Sequence, residues 1–347
     1  MKAFVITAPS SAGVQDVPDA VAEPGEVVVD VARAGVCGTD VELYTGEMQY
    51  LHEGLAAYPL RIGHEWTGTV SAVGDGVDRR WLGRRVTGDT MLGCGRCRRC
   101  LAGRHHVCAY RTELGIRGGR AGALAEKVAV PATSLHAIPD SVDDTSGAMV
   151  EPGGNALRSV EAADLSPGER VLILGPGTIG LLAAMFARAA GAEVHLMGRS
   201  AKSLGFARSL GFESVSTEDE LPDHPWDAVI DASNAPRLPG RALELVEPGR
   251  RVVYVGLAGS PSMIDTRTLA LKDVTAVGIL GASAGLDGTI DAYARGAVDP
   301  RPLVGSTVRL GDLPAVLAGE RPAGAGDGPK TQVALTGATT ADEGETP

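Results

Sequence analysis

Two patterns of apolar and polar positions divide the chain near Asp144. Before it, short β-rich runs are broken by glycine and proline: "KAFVI", "EVVVDVARA", "WTGTVSAVG" and "LAEKVAV". Each predicts a strand. From Asp144, "DTSGAMVEPGGNALRSVEAADL" predicts helix on both sides of an "EPGG" interruption. Strands and helices then alternate: "RVLIL", a helix over 178–190, "EVHLM", a helix over 201–210, "DAVID", a helix over 237–246, "RRVVYVG" and "VTAVGIL". This alternation predicts an α/β fold with a parallel sheet covered by helices on both faces. A last helix, "DGTIDAYARG", precedes "GERPAGAGDGPK" (319–330), expected as a flexible loop, and "TGATTADEGETP", expected as a solvated tail. The uncharged stretch 171–187 suggests a membrane span, but the "GPG" inside it favours strand–turn–helix.

Composition adds limits. At 347 residues the chain suits two domains, and 44% hydrophobic residues can fill their cores. The 47 glycines favour tight turns and close backbone approaches. A net charge of −11 argues against nucleic acid as the main partner. The N-terminal apolar run is too short for a signal peptide, so no membrane is expected and the cytoplasm is the default location. There, clustered cysteines are metal ligands more often than disulfides.

The strand–turn–helix "VLILGPGTIG" sets Gly175, Gly177 and Gly180 in G-x-G-x-x-G order, with Thr178 and Ile179 opening the helix. That context is the dinucleotide fingerprint: a tight turn, a close approach to pyrophosphate, and close helix–strand packing. The next strand ends "VHLMGRSAK". No acid follows Glu193 to bond ribose hydroxyls; Gly198, Arg199, Ser200 and Lys202 stand there instead. Such small, cationic and hydroxyl groups would meet a ribose 2′-phosphate, which predicts NADP over NAD.

Four of the five cysteines, Cys94, Cys97, Cys100 and Cys108, lie in C-x2-C-x2-C-x7-C order. Four thiolates on one loop can enclose a tetrahedral zinc, and the closed set leaves no place for substrate. Arg96, Arg98, Arg99, Arg104, His105 and His106 raise the rival reading of a DNA-binding finger, but the cysteines are too compressed for a finger helix. From the ligands alone an iron–sulfur cluster stays open.

Cys37 in "GVCGTDVELYTG" and His64 in "IGHEWTGTVSAVGDGV" add a second candidate metal centre. Gly63, His64, Glu65, Gly68, Gly74 and Val77 meet G-H-E-x2-G-x5-G-x2-V. With the C-G-T-D turn at Cys37–Asp40 and the Glu151–Pro152 pair, the chain resembles the zinc-dependent medium-chain alcohol and polyol dehydrogenases. The glucose, sorbitol and threonine dehydrogenase-like branch resembles it most. The likeness extends to about residue 336.

The resemblance implies a GroES-like, β-rich catalytic domain over 1–153 and 285–347, carrying a structural-zinc lobe at 92–109. It implies a Rossmann domain over 154–284. No cysteine is spare for a second thiolate at the catalytic zinc, so Cys37, His64 and Glu151 are the implied ligands, with Glu65 as a ligand that exchanges with water. Asp40 would orient His64, and Thr39 would bond the reacting oxygen and start a proton relay. Glu42 stands where many relatives place a relay histidine. Val255 and Gly256 would pass the nicotinamide. Hydride would move between a small-molecule secondary alcohol, polyol or sugar and NAD(P). Glu113 and Asn155 are candidate contacts for substrate hydroxyls. Relatives assemble as homo-oligomers, dimers or tetramers, with 252–259 the expected pairing region. The alternatives are simple secondary alcohols or amino-alcohols with NAD, a binding protein on the same fold, and a zinc-free quinone reductase. The last typically lacks both the cysteine lobe and this histidine.

Overall fold

A computed structural model describes residues 1–335; the tail 336–347 lies outside the described residues. The first half and the end of the chain together build a seven-stranded sheet around the long strand Glu26–Val36. Its runs of valine bury against Phe4, Ile62, Trp66 and Leu124. Strand Glu65–Val73 pairs antiparallel on one side of Glu26–Val36, with Glu65 opposite Gly35. On the other side the last strand, Lys330–Ala334, pairs antiparallel, with Thr331 opposite Val36. Residues far apart in the sequence therefore meet where strand Glu26–Val36 ends.

The second half is a six-stranded parallel sheet in the spatial order Val215–Ser216, Glu193–Met197, Arg170–Leu174, Trp226–Asp231, Val246–Tyr254, Thr275–Gly278. This is the doubly wound arrangement, whose order reverses beside the first strand and opens a crevice at the carboxyl ends. Fully buried Val171, Leu172, Ile173 and Leu174 read as the continuous apolar run of a strand covered on both faces. Among the described residues no helix is long and apolar enough to cross a membrane.

Two expectations change. The "EPGG" stretch does not interrupt helix: Val150–Ala163 is continuous through it. Pro152 lies in the first turn, where a missing N–H costs nothing. Gly153 and Gly154 admit the neighbouring helix Leu286–Ala294; a Cβ on Gly153 would strike the Tyr293 hydroxyl. Leu286, Ile290, Tyr293 and Leu303 bury in the same core as the strands of the parallel sheet. Finally, the expected pairing region 252–259 is not an edge. Strand Val246–Tyr254 lies between two parallel neighbours, and Thr275–Gly278 is the edge strand on that side of the sheet.

Candidate active site

Cys37 follows strand Glu26–Val36 and caps helix Gly38–Thr45. Buried Asp40 accepts the Cys37 backbone N–H at 2.9 Å, which fixes the turn. Glu65 opens the neighbouring strand, directly after His64. The side chain of Glu65 folds over Gly35, where a Cβ would strike its carboxylate. One ligand atom each from Cys37, His64 and Glu65 lies within 4.8 Å of the other two. Thr39 Oγ1 is 4.0 Å from the Cys37 sulfur. Glu42, on the same helix, is exposed; partial burial and Glu47 raise its pKa.

Charge shows what this cluster lacks. Burial alone would lower the His64 pKa, yet Asp40, Cys37 and Glu151 together raise it well above its ordinary value. His64 Nδ1 and Asp40 Oδ1 face each other at 3.7 Å, both buried and without a hydrogen-bond partner among the described residues. Glu151, in the first turn of its helix, is buried; burial, aided by the charge of Glu65, pushes its carboxyl up to about 7. Asn155, one turn on, donates to Glu151 Oε1 at 3.2 Å. A thiol, an imidazole and three carboxyl groups thus share one dry site. A thiolate, an imidazole and a carboxylate are a zinc donor set, and such a concentration of acids favours a cation. The closest trio contains Glu65 where the sequence reading put Glu151; Glu151 flanks it.

In the parallel sheet, Gly175 adopts a positive φ of 95°. A Cβ on Gly180 would strike the Gly175 carbonyl, whereas Gly177 faces open space, as a pyrophosphate cradle requires. The backbone N–H groups of Val255 and Gly256 donate to Asp231 O at 3.0 and 2.9 Å, and Gly256 packs against the Ser233 backbone. These residues gather at the carboxyl ends of the central strands. Gly198 packs on Pro176, and Arg199 is exposed. Ser200 caps helix Ala201–Ser209 by accepting the Ser203 N–H.

Residues 23–140 match the alcohol dehydrogenase GroES-like domain, and residues 178–295 match the zinc-binding dehydrogenase domain. The L-threonine 3-dehydrogenase of Sinorhizobium fredii is 32% identical over 293 residues, 81% of this chain and 84% of that protein. The L-threonine 3-dehydrogenase of Idiomarina loihiensis is 32% identical over 268 residues, 74% and 77% of the two chains. The chain belongs to the zinc-dependent alcohol dehydrogenase family. A zinc-binding dehydrogenase from Sinorhizobium meliloti 1021 solved with NADP superposes at a TM-score of 0.85 and 28% identity, covering 96% of this chain and 98% of that one. An alcohol dehydrogenase from E. coli CFT073 solved with NADH gives 0.87 and 26%, covering 96% and 99%.

The cysteine lobe of this dehydrogenase has metal geometry. Its sulfur–sulfur distances are 3.6 Å (Cys97–Cys100), 3.8 Å (Cys97–Cys108) and 4.0 Å (Cys94–Cys100). Tetrahedral bonds of ~2.3 Å to zinc place sulfurs ~3.8 Å apart. Backbone N–H groups of Arg96 and Cys97 lower the Cys94 thiol to about 6.

Lys330 escaped the sequence reading, which placed it at the end of a loop. Its Nζ, buried, lies 2.8 and 2.7 Å from the two oxygens of Glu65 and 3.1 Å from Val36 O. The available signal was its position directly before the apolar strand "TQVAL". Glu113 lies elsewhere in the bonding pattern. It is buried, and its Oε1 accepts Arg111 Nε at 2.8 Å and the Tyr50 hydroxyl at 3.3 Å.

Proposed function

We propose that this dehydrogenase oxidises a hydroxyl of a polyol or sugar with NADP as hydride acceptor, and reduces the corresponding carbonyl in reverse. The observation that carries the reading is the cluster of half-buried Cys37 with buried His64 and Glu65, flanked by Glu151 and Asn155. Zinc held there supplies a Lewis acid that lowers the pKa of an alcohol. Asp40, facing His64 Nδ1, keeps the proton on that nitrogen and leaves the other free to ligate. Glu65 has a second partner in Lys330, and its alternation between Lys330 and the metal makes it the exchangeable ligand. Glu151 serves as the further carboxylate ligand, held by Asn155. Thr39 bonds the substrate hydroxyl. Glu42 belongs to the rim, where it passes protons to solvent.

A carboxyl group and an amide offer acceptors to vicinal hydroxyls. Asn155 is the better substrate contact of the two proposed, because Glu113 is engaged by Arg111 and Tyr50. Arg199, Ser200 and Lys202 support NADP. A second reading, oxidation of an amino-alcohol with NAD, is favoured by the threonine dehydrogenases among the relatives. The free cysteines suit work in the cytoplasm, and two copies pair through the edge strand Thr275–Gly278, as a dimer or within a tetramer.

Nicotinamide absorbance, followed with sugars, polyols, L-threonine and simple secondary alcohols, tests the reading. Turnover confined to L-threonine selects the second reading, and turnover confined to apolar alcohols overturns both. Elemental analysis should find two zinc ions per chain, one for each cluster. Cys94→Ser should lose one of them and lower the thermal midpoint while leaving the order of substrate preference unchanged.

A further inference from the structure

Apart from its last residue, Lys330, the segment 319–330 has no part in the site described so far. Yet it forms one wall of a cavity of about 370 Å³ whose other wall belongs to the nucleotide domain. That other wall includes Pro176 of the glycine loop, together with Ser200 and Lys202 at the start of helix Ala201–Ser209. The cavity therefore adjoins both the glycine loop and the residues that follow strand Glu193–Met197, the part of this fold that faces a dinucleotide's ribose.

Two cations from the two walls converge in it. Lys202 Nζ lies 3.9 Å from Asp327 Oδ1, and Arg321 Nη2 lies 3.6 Å from the same oxygen. Glu320 lines the same cavity, so the two acids balance the two cations. The segment is also built rather than loose. The Gly326 N–H donates to Gly305 O at 2.7 Å. Gly305 and Gly328 pass so closely that a Cβ on either would strike backbone. Arg321 Nη2 donates to Ala325 O at 3.2 Å and to Gly326 O, which orients the guanidinium.

We propose that this segment completes the pocket for the ribose 2′-phosphate of NADP, with Arg321 and Lys202 as its cations and Asp327 as the internal anion that the phosphate displaces. The inference rests on the NADP reading above. A phosphate monoester carries about −2 charge and three acceptor oxygens. It outcompetes one carboxylate oxygen for a guanidinium fork and an ammonium. NAD carries a hydroxyl at that position and leaves the Asp327 arrangement intact. The loop thus discriminates between the cofactors from the far side of the cleft.

Dissociation constants for NADP+ and NAD+, measured by calorimetry on the wild-type chain, Arg321→Gln, Arg321→Lys and Asp327→Asn, test this without turnover. The wild type should bind NADP+ more tightly. Arg321→Gln should shrink that preference roughly tenfold, the scale of one hydrogen bond to a charged group. Arg321→Lys should keep part of it. Asp327→Asn should enlarge it. Opposite changes at two neighbouring positions cannot come from general damage to the fold. A wild-type preference for NAD+, or none, overturns both the cofactor reading and this inference. A preference for NADP+ that survives Arg321→Gln, or that Asp327→Asn diminishes, overturns the role of the loop alone.

Discussion

The contact between Lys330 and Glu65 shows how single residues acquire meaning only in three dimensions. Glu65 was legible because it stands in a signature; its partner stands 265 residues away, behind a glycine-rich loop. The strand ladder brings them together, since Glu26–Val36 pairs with Glu65–Val73 on one side and Lys330–Ala334 on the other. Both side chains are nearly inaccessible, at 5% and 1% exposure, so the pair is not screened by water. Removing one member of such a pair leaves a buried charge uncompensated, which costs about 3–5 kcal/mol. Lys330→Met should therefore lower the thermal midpoint sharply. The double variant Glu65→Gln, Lys330→Met should recover much of the loss, because neither member of the pair is left as an unpaired charge. Equal midpoints for the single and double variants would show that the ion pair contributes nothing of its own. Gly35 was equally silent in the sequence, although the Glu65 carboxylate lies where its Cβ would be. A glycine in a strand discloses a close neighbour only once the neighbour is known.

Elements were more legible than residues, because periodicity and glycine–proline punctuation act locally. The strands and helices of the nucleotide half fall within a few positions of the reading, from Arg170–Leu174 to Thr275–Gly278. The failure at "EPGG" has a local cause too: a proline in a first turn and glycines at a helix contact look like a break when the second helix is unseen. What no local pattern discloses is how elements are tied together. Strand Leu135–Ala137 is tied to helix Leu286–Ala294 by His136, whose Nδ1 lies 2.6 Å from Asp287 and whose Nε2 lies 3.7 Å from buried Asp89. Asp89 also faces His105 of the cysteine lobe at 3.1 Å, so three units share this knot. Burial alone would lower the His136 pKa, but Asp89 and Asp287 raise it from 6.5 to about 8. A raised folded value means that protonation stabilises the fold. The full contribution is present below 6.5 and is lost as pH rises through about 8. At 1.36 kcal/mol per unit, the rise corresponds to roughly 2 kcal/mol. His136→Gln should thus lower the thermal midpoint near pH 6 and much less near pH 9, roughly spanning the window where the proton leaves. An equal deficit at both pH values would assign His136 a packing role alone.

At the scale of the whole molecule, the sheet order explains both the cofactor crevice and the surface left for assembly. The crevice was legible, because alternation of strand and helix prescribes a doubly wound sheet and the glycine fingerprint marks its first turn. The edge was not. "VVYVGLAG" and "VTAVGIL" are similarly apolar, and only the pairing reveals that Val246–Tyr254 is interior while Thr275–Gly278 has one free side. A free edge with exposed apolar neighbours invites another strand. Here Leu257, Met263 and Leu271 are 82%, 91% and 79% exposed, and Ile264 and Leu280 add to them in the same stretch of chain. On the pairing proposed above, a second copy would offer the same edge about a twofold axis, each unpaired backbone group meeting its equivalent and the leucines and methionines leaving water together. The expected solution mass is therefore at least twice that of the 35.6 kDa chain. Met263→Glu with Leu271→Glu sets like charges against each other across the axis and should yield monomers by light scattering on a sizing column. The nucleotide cleft lies at the carboxyl ends of the strands rather than along this edge, so the separated chains should still bind the dinucleotide. A wild-type chain that runs as a monomer at all concentrations would remove the edge from the assembly, and the exposed leucines and methionine would need another partner.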